Sequence, residues 1–375
     1  MKTKRILFVI IMILVFFPMV NTLLPIIKSA GLKGDIQKVQ DTAFTWKGWF
    51  EGTYQKKKEA YLNSNVGFYP DFIRINNQLD FSLFGILHAK DVCEGQNHFL
   101  YETSYIQSYL GNDKLSDSII LKDCRDIKLI QDSLTARGKI FLFVIATNKA
   151  DYYPEHFPEK YKTAVKKARN YTQYLHYMDS LGIKYIDFNG YFVKQKSKTP
   201  YPLITKFSTH WSSYGVSIAS DSIVKYLSIN YFNNRLIAPE ISYTESKTYN
   251  KHDKEAFDPL NLIAAWPDKE LTAWPQYAYP KKTVSVKPKI LFVADSYFWE
   301  VYDQKVMENV FGDLEFWYYN RDHWGKNHTY LGDVAKKPLL GNDYLKKSDI
   351  VVMMASEFHM NCLTRDFTGK LKQVY

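Results

Sequence analysis

The 375-residue chain is long enough for one large domain or two ordinary ones, and its 46% hydrophobic content allows a sizeable core. The formal net charge is +10. Lys2, Lys4 and Arg5 account for part of it, leaving about +7 spread over lysine patches without periodic arrangement. No basic repeat or recognition-helix pattern accompanies the charge, which argues against nucleic acid as a partner. The three cysteines form no Cys-x-x-Cys pair, so neither a zinc site nor a disulfide framework is encoded. We predict no metal and no cofactor.

The N-terminus contains an apolar stretch, Ile6–Ile27, of 22 residues behind a short basic tail. A bilayer core needs about 20 apolar residues, and this run is too long for the apolar part of a simple signal peptide. We therefore predict a cytoplasmic tail and signal anchor over residues 1–28. By the positive-inside rule the remainder of the chain is exported, which makes it a single-pass protein of the inner membrane whose main domain faces the periplasm. Cleavage of the segment as a signal peptide stays open as the alternative.

Residues 29–113 are predicted to contain an amphipathic stalk helix and the N-terminal part of the main domain. Aromatic residues recur mostly at helical spacing between Lys33 and about Asn63, which indicates a helix leading away from the membrane. A break at Phe68-Tyr69-Pro70 separates it from a mixed region that extends to about Asp113.

From Lys114 onwards helical and strand patterns alternate, which predicts an α/β domain over residues 114–375 with a doubly wound, mostly parallel sheet. The predicted elements are a helix to Arg137, strand Lys139–Ile145, helix Glu159–Leu181, strand Ile183–Phe188, helix Ser212–Tyr226, a strand at Ile290, helix Tyr297–Phe311, and strands Leu314–Tyr319 and Ile350–Met354. Residues 233–287 show little periodicity and are predicted to be an insertion that forms a lid or rim.

Two short motifs contain candidate catalytic residues. Ser296 follows the apolar strand at Ile290 and precedes a helix, so it lies on a turn at the carboxyl edge of the sheet, where nucleophiles are exposed and helix N–H groups can stabilise an oxyanion. An Asp-Ser pair before a helix is also common as an N-cap. His210 lies on a loop before another helix, which favours a Ser-His pair and predicts that the two residues meet in space.

These segments together resemble the alginate O-acetyltransferase family of exported, membrane-associated proteins with a permuted SGNH-hydrolase-like domain. The resemblance covers roughly residues 45–360 in patches, and its most specific element is the order of the motifs, histidine before serine. The segments that carry it are the N-terminal anchor, Asn65-Val66-Gly67-Phe68, Ile145 to Ala150 with Tyr153-Pro154-Glu155, Thr209-His210-Trp211 with Gly215, and Ala294-Asp295-Ser296. It implies that Ser296 is the acyl-accepting nucleophile and His210 its general base.

One departure from the family pattern concerns the third member of the triad. The family has an aspartate two residues before the histidine, where this chain has Ser208, and Ala294 replaces a glycine. A serine cannot stabilise an imidazolium, so three possibilities stay open. Another carboxylate takes the role of the aspartate, or a Ser-His dyad is sufficient, or the protein is a poor enzyme. Asp187 and Glu357 are the candidate substitutes. In the absence of a substitute, Ser208→Asp is expected to raise or maintain the rate.

Two further residue groups are assigned at the predicted sheet edge. Asp295, adjacent to the nucleophile, is expected to cap the helix or brace the turn more than to reach the histidine. For the oxyanion, the N–H of Ser296 is the first predicted donor, with Asn320 and Tyr319 after the next strand as partners in binding substrate.

The leading functional prediction is an extracytoplasmic O-acetyltransferase of a cell-surface or exported polysaccharide, acting through an acetyl-serine intermediate. The resemblance implies a membrane-bound O-acyltransferase as the acetyl donor. A carbohydrate O-acetyl esterase would use the same residues, and Ser208 keeps open a non-catalytic polysaccharide-binding or scaffold subunit. The polysaccharide, the acyl group and the oligomeric state do not follow from the sequence.

Overall fold

The structure, a computed structural model, describes residues 2–34, 36, 39–264, 270–280, 285–334, 338–360 and 367, with residues 338–342 described by their backbone alone. The chain divides into two compact units. The first consists of Met1–Lys90 and Phe257–Pro267, and the second of Asp91–Ala256 and Asp268–Tyr375.

The first unit is helical, with α1 (Lys2–Leu23), α2 (Trp46–Phe50), α3 (Thr53–Asn65) and α4 (Tyr69–Phe84). Helix α1 is long and apolar enough to cross a membrane. The stalk was predicted as one helix from Lys33, and this is wrong, because no helix is present among the described residues between Leu23 and Trp46. Gly52, in the left-handed conformation with φ 72°, separates α2 from α3.

The second unit has α/β architecture. Its helices are α5 (Thr103–Tyr109), α6 (Asp117–Thr135), α7 (Lys149–Tyr152), α8 (Glu159–Lys162), α9 (Asn170–Leu181), α10 (Phe188–Gln195), α11 (Ser213–Tyr231), α12 (Phe298–Asp303), α13 (Val306–Val310) and α14 (Pro338–Lys347). Its strands are β1 (Val92–Glu94), β2 (Leu100–Glu102), β3 (Ile140–Ala146), β4 (Tyr185–Asp187), β5 (Glu240–Ser246), β6 (Thr272–Ala278), β7 (Lys289–Ala294), β8 (Asp313–Tyr318), β9 (Asp322–Gly325), β10 (Thr329–Asp333) and β11 (Ile350–Ser356).

A seven-stranded sheet in the order β10-β9-β8-β7-β11-β3-β4 forms the centre of this unit within the described residues. Strands β8, β7, β11, β3 and β4 are parallel, whereas β9 and β10 continue the sheet antiparallel. Alternate side chains of the central strands enter two cores: Phe292 and Val352 pack on one face, and Val293 and Met353 on the other. Burial on both faces requires apolar strands, and the observed pairing confirms the predicted α/β architecture with a mostly parallel sheet.

Two predicted helices are shorter than expected. The helix predicted over Glu159–Leu181 is divided into α8 and α9, because Arg169 adopts an extended backbone (φ −110°, ψ 151°) and pairs its buried guanidinium with Asp151. The helix predicted over Tyr297–Phe311 is divided at Lys305, whose φ of 57° is left-handed. Both breaks depend on local backbone conformations that side-chain periodicity does not encode.

The predicted insertion, residues 233–287, contributes to both units. Strands β5 and β6 pair as an antiparallel ribbon in the second unit, and Phe257–Pro267 belongs to the first. Cys93 and Cys124 are free thiols, and Cys362 lies outside the described residues.

Candidate active site

Ser296 lies on the turn between β7 and α12, at the carboxyl edge of the parallel strands. It is partly exposed, whereas Asp295 and Tyr297 on either side are buried. The Asp295 carboxylate accepts hydrogen bonds from the N–H of Tyr297 (3.1 Å) and the N–H of Ser356 (2.7 Å), which ties the turn to the end of β11. This bracing leaves the serine hydroxyl as the group that the turn presents to solvent.

His210 lies on the loop before α11 and faces the serine. Its Nε2 is 3.1 Å from the Oγ of Ser296, although 86 positions separate the two residues. The distance is that of a hydrogen bond between a nucleophile and its base. The imidazole is only 8% exposed, so its other ring nitrogen requires a partner within the protein.

Two glutamates supply that partner. The Nδ1 of His210 forms a 2.9 Å hydrogen bond with Oε1 of Glu300, and Oε2 of Glu255 lies at the same distance as an ion pair. With carboxylates at Nδ1, the neutral imidazole keeps its proton on that nitrogen, and Nε2 is then the acceptor for the serine hydroxyl. Glu300 therefore occupies the position of the acidic member of a Ser-His-acid triad.

Glu255 also organises the histidine loop. Its Oε1 accepts from the backbone N–H of Thr209 (3.1 Å) and of His210 (2.9 Å), and from the hydroxyls of Ser208 (3.1 Å) and Thr209 (2.9 Å). A carboxylate with this many donors is held in one orientation, and it holds the loop in return.

The serine and histidine motifs are joined directly. The buried Trp211 donates its indole N–H to the carbonyl of Tyr297 at 3.1 Å. The hydroxyl of Tyr297 donates to the carbonyls of Thr147 (2.6 Å) and Thr209 (3.1 Å), and its ring centroid is 4.2 Å from that of His210. These contacts fix the imidazole relative to the nucleophile, and they give the tryptophan of the Thr-His-Trp motif a physical role.

Burial and charge act on the His210 pKa in opposite directions. Burial lowers the pKa of His210, but the carboxylates of Glu255 and Glu300 raise it more, so it lies well above the ordinary value. Burial raises the pKa of Glu255, and the His210 charge and hydrogen bonds outweigh this and bring it to about 2. The paired imidazolium and carboxylate are therefore strongly favoured, which is the charge state that forms after a serine proton is transferred.

The same three side chains meet a geometric condition for binding a metal ion. One ligand atom each from His210, Glu255 and Glu300 lies within 4.8 Å of the others. A cation on Nδ1 would leave the neutral imidazole protonated at Nε2, where it could not accept the Ser296 proton. Metal binding and the base function therefore exclude each other at this site.

The structure places the other predicted site residues as follows. Ser208 lies beneath the loop, where its Oγ accepts from the N–H of His210 at 3.1 Å. Tyr319 and Asn320 follow β8, the strand next to β7, and both have left-handed backbones. Tyr319 donates its N–H to the carbonyl of Ala294 (2.9 Å), and its ring packs against His359, whose Nδ1 is 3.5 Å from Asp295.

Both proposed substitutes for the missing aspartate were wrong. Asp187 accepts from the hydroxyl of Tyr171 and caps α10. Glu357 pairs with Arg169 at 2.7 Å and accepts from the Asn148 side chain. Each carboxylate is thus already engaged away from the histidine.

The two glutamates at the site were missed by the sequence reasoning. A signal for Glu300 exists, because it lies four residues after Ser296, on the same side of a helical turn. Glu255 lies in the aperiodic insertion, and no local pattern distinguishes it from the other acidic residues there.

A mostly parallel sheet that presents a Ser-His pair at its carboxyl edge defines an SGNH hydrolase-like α/β domain. Residues 92–292, more than half of the chain, match the family model described as "SGNH hydrolase-like domain, acetyltransferase AlgX". The chain belongs to this acetyltransferase family. The matched range includes His210 and Glu255 and ends before Ser296, so the nucleophile assignment depends on geometry.

Solved structures with similar folds include the O-acetyltransferase domain of Pseudomonas putida AlgJ, at 14% identity, a TM-score of 0.49, and coverage of 76% of this chain and 99% of that one. Pseudomonas aeruginosa AlgX gives 13% identity, a TM-score of 0.49, and coverage of 75% and 67%. Bacillus cereus PatB1 gives 10% identity, a TM-score of 0.45, and coverage of 72% and 96%. No curated protein matches the chain. The family assignment therefore depends on the family model.

Proposed function

We propose that this protein is a membrane-anchored O-acetyltransferase that acts outside the cytoplasm on a cell-surface or exported polysaccharide. The observation that carries the proposal is the arrangement Ser296–His210–Glu300, with 3.1 Å and 2.9 Å between successive side chains. A polysaccharide substrate is what the resemblance of the chain's motifs to the alginate O-acetyltransferase family implies. Helix α1 would anchor the protein in the inner membrane, and a membrane-bound O-acyltransferase would deliver acetyl groups to it.

The reaction has two acyl transfers. His210 Nε2 takes the hydroxyl proton of Ser296 as Oγ attacks the acetyl carbonyl of the donor, and the imidazolium then protonates the leaving group. A sugar hydroxyl next attacks the acetyl-serine, gives its proton to His210, and the proton returns to Ser296 Oγ. Glu300 and Glu255 stabilise the imidazolium in both steps, and the Ser296 N–H is the proposed oxyanion donor, with Tyr319 and Asn320 lining the acceptor side.

The test is acyl-enzyme formation by the full-length protein with a reactive acetyl ester. Intact-mass analysis should detect one added acetyl group, and Ser296→Ala should lose the adduct and lower transfer by at least about 10³-fold. The matched control is Ser118→Ala, an exposed serine on α6, which should retain both.

Three outcomes separate the candidate functions. Acetyl groups recovered on an added oligosaccharide support a transferase, and release of free acetate alone would identify an esterase. If Ser296→Ala left cellular polysaccharide acetylation intact while deletion of the protein abolished it, the protein would be a scaffold subunit and the proposed chemistry would be wrong.

A further inference from the structure

Helix α4 has its amphipathic faces reversed relative to a helix of a soluble domain. A surface helix ordinarily packs its apolar side inwards and exposes its polar side. On α4, most of the exposed face is apolar: Phe72, Ile75, Leu79 and Leu83 are 48%, 46%, 54% and 68% exposed. Their spacing of three and four residues places them in one stripe along the helix. An exposed apolar stripe of this kind marks a surface that a membrane or another apolar surface covers.

Three polar side chains of α4 face the rest of the first unit, whereas Asn76 and Ser82 are exposed. Asn77, only 6% exposed, donates to the carbonyl of Leu260 at 2.9 Å. Arg74 donates to the carbonyls of Ala30 (2.8 Å) and Gly31 (2.7 Å). Gln78 accepts from the N–H groups of residues 263 and 264 at 3.1 and 3.0 Å. The orientation of α4 is thus fixed by polar contacts on one side, and rotation to bury the apolar stripe would break them.

The N-terminus of α4 lies against the last turns of α1. Gly67 N–H donates to Thr22 Oγ1 at 2.7 Å, and the ring of Phe68 is 5.4 Å from that of Phe17. A Cβ at Gly67 would clash with the Pro18 carbonyl and lie 2.9 Å from the Cβ of Asn21, so only glycine allows this approach. Because α1 ends at Leu23, the contact lies near the end of the span that leads to the exported part of the chain.

We propose that α4 lies in the outer interface of the same bilayer that α1 spans, with the Phe72–Ile75–Leu79–Leu83 stripe in contact with lipid. The inference rests on the proposed anchoring by α1. Lipid is the occupant because the stripe begins one helical turn after the contact with α1, a helix whose own side chains from Ile6 to Phe16 are largely exposed and apolar. The exposed aromatics of the α2 region add ring systems that favour a membrane–water interface: Phe44, Trp46, Trp49 and Phe50.

The experiment is a nitroxide scan of residues 71–84 in the full-length protein reconstituted into phospholipid vesicles, with Cys93→Ser, Cys124→Ala and Cys362→Ser removing the native thiols. Collision with oxygen, which partitions into lipid, is compared with collision with a water-soluble nickel chelate. We expect oxygen accessibility to peak, and nickel accessibility to fall, at positions 72, 75, 79 and 83. Position 14 in α1 is the reference for a lipid-facing site.

Each contrary result has a separate meaning. If a nitroxide at position 14 collides with the nickel chelate, α1 does not span the bilayer and the proposed anchoring is wrong. If the label at position 14 is exposed to lipid while the labels on the stripe collide with the nickel chelate, the stripe faces water and the inference about α4 is wrong. If the stripe is protected from both reagents, protein covers it, and the inference is wrong in that case also.

Discussion

Glu255 explains why a serine can stand at position 208. Its Oε1 lies 3.1 Å from Ser208 Oγ and accepts from two backbone N–H groups of the same loop. Its Oε2 reaches His210 Nδ1 at 2.9 Å. The negative charge that the family places two residues before the histidine is thus supplied from a distant part of the chain. Residue 208, beside the Glu255 carboxylate, therefore has to be neutral and able to donate a hydrogen bond, and serine meets both conditions.

This arrangement reverses the expectation for Ser208→Asp. A new carboxylate at position 208 would lie against that of Glu255, and like charges at this distance raise the free energy of the folded loop. We expect the rate of acetyl transfer to fall by about tenfold or more. The double variant Ser208→Asp with Glu255→Gln should recover much of the loss, because positions 208 and 255 then carry one carboxylate between them, as in the native protein.

Steady-state kcat/KM for both variants, with melting temperatures, measures this effect. Ser118→Asp serves as the control for a new charge at an exposed serine. A higher rate for the single variant Ser208→Asp would mean that His210 lacks an orienting partner in the native protein.

The pH dependence of the reaction should report the pKa of His210. Its pKa is raised well above the ordinary value by Glu255 and Glu300, despite burial that lowers it. A base must be unprotonated, so the rising limb of kcat/KM should have its midpoint above about 6.5. Glu300→Gln removes one of the charges that raise the pKa, so the limb should move to lower pH while the plateau falls by about 10²–10⁴-fold.

A pH–rate profile distinguishes this role from a purely structural one, which would lower the plateau without moving the limb. Glu240→Gln, at an exposed position on β5, is the matched control. An unchanged limb in Glu300→Gln would contradict the assignment of Glu300 as the partner of Nδ1.

At the scale of elements, the loop that contains His210 depends on Lys149, which follows the end of β3. Lys149, in the first turn after β3, is fully buried and donates to the carbonyls of Thr205 (2.8 Å), Lys206 (2.7 Å) and Ser208 (2.5 Å). Burial lowers its pKa to about 7, partly opposed by Glu270 and Glu255. A buried ammonium with three carbonyl acceptors stabilises this irregular loop.

Removal of this lysine should loosen the loop. Lys149→Met keeps the length of the side chain but removes a buried donor from three carbonyls, one of which, that of Lys206, still accepts the Leu100 N–H at 3.0 Å. We therefore expect the free energy of unfolding to fall by about 2–5 kcal/mol. We also expect kcat to fall more than KM changes, because His210 loses its fixed position. Denaturant unfolding and steady-state kinetics measure the two effects.

Lys122→Met on α6 is the comparison for loss of a lysine at the surface, where an ion pair such as Lys122–Asp126 contributes about 0–1 kcal/mol. Equal effects of the two substitutions would mean that Lys149 does not brace the loop.

At the scale of the whole molecule, the proposed topology places all of the chain after α1 outside the cytoplasm. A C-terminal alkaline phosphatase fusion, which folds only after export, should be active, and a reporter that works only in the cytoplasm should be inactive at the same position. The reason is the basic flank at Lys2, Lys4 and Arg5 before the apolar helix. An active cytoplasmic reporter would contradict the localisation and remove the polysaccharide from the possible substrates.

Local sequence was sufficient where one residue pattern specifies one structure. The apolar runs at Ile290–Ala294 and Ile350–Met354 predicted buried parallel strands, because strands covered on both faces are continuously hydrophobic. The Ser296 turn and the His210 loop followed from the same reasoning, since each stands where an element ends. The breaks at Arg169 and Lys305 were not predicted, because a buried ion pair and a left-handed residue decide them.

The sequence by itself determined the class of fold, the apolar N-terminal helix and the pair Ser296 and His210, since each is encoded by neighbouring residues. Only the tertiary structure decided which carboxylates serve the histidine. Glu255 comes from an aperiodic insertion 45 positions from His210, and Glu300 from a helix 90 positions away. Any of several acidic residues could have filled that place, and the choice depends on which loop the folded chain brings within hydrogen-bond distance of a buried imidazole.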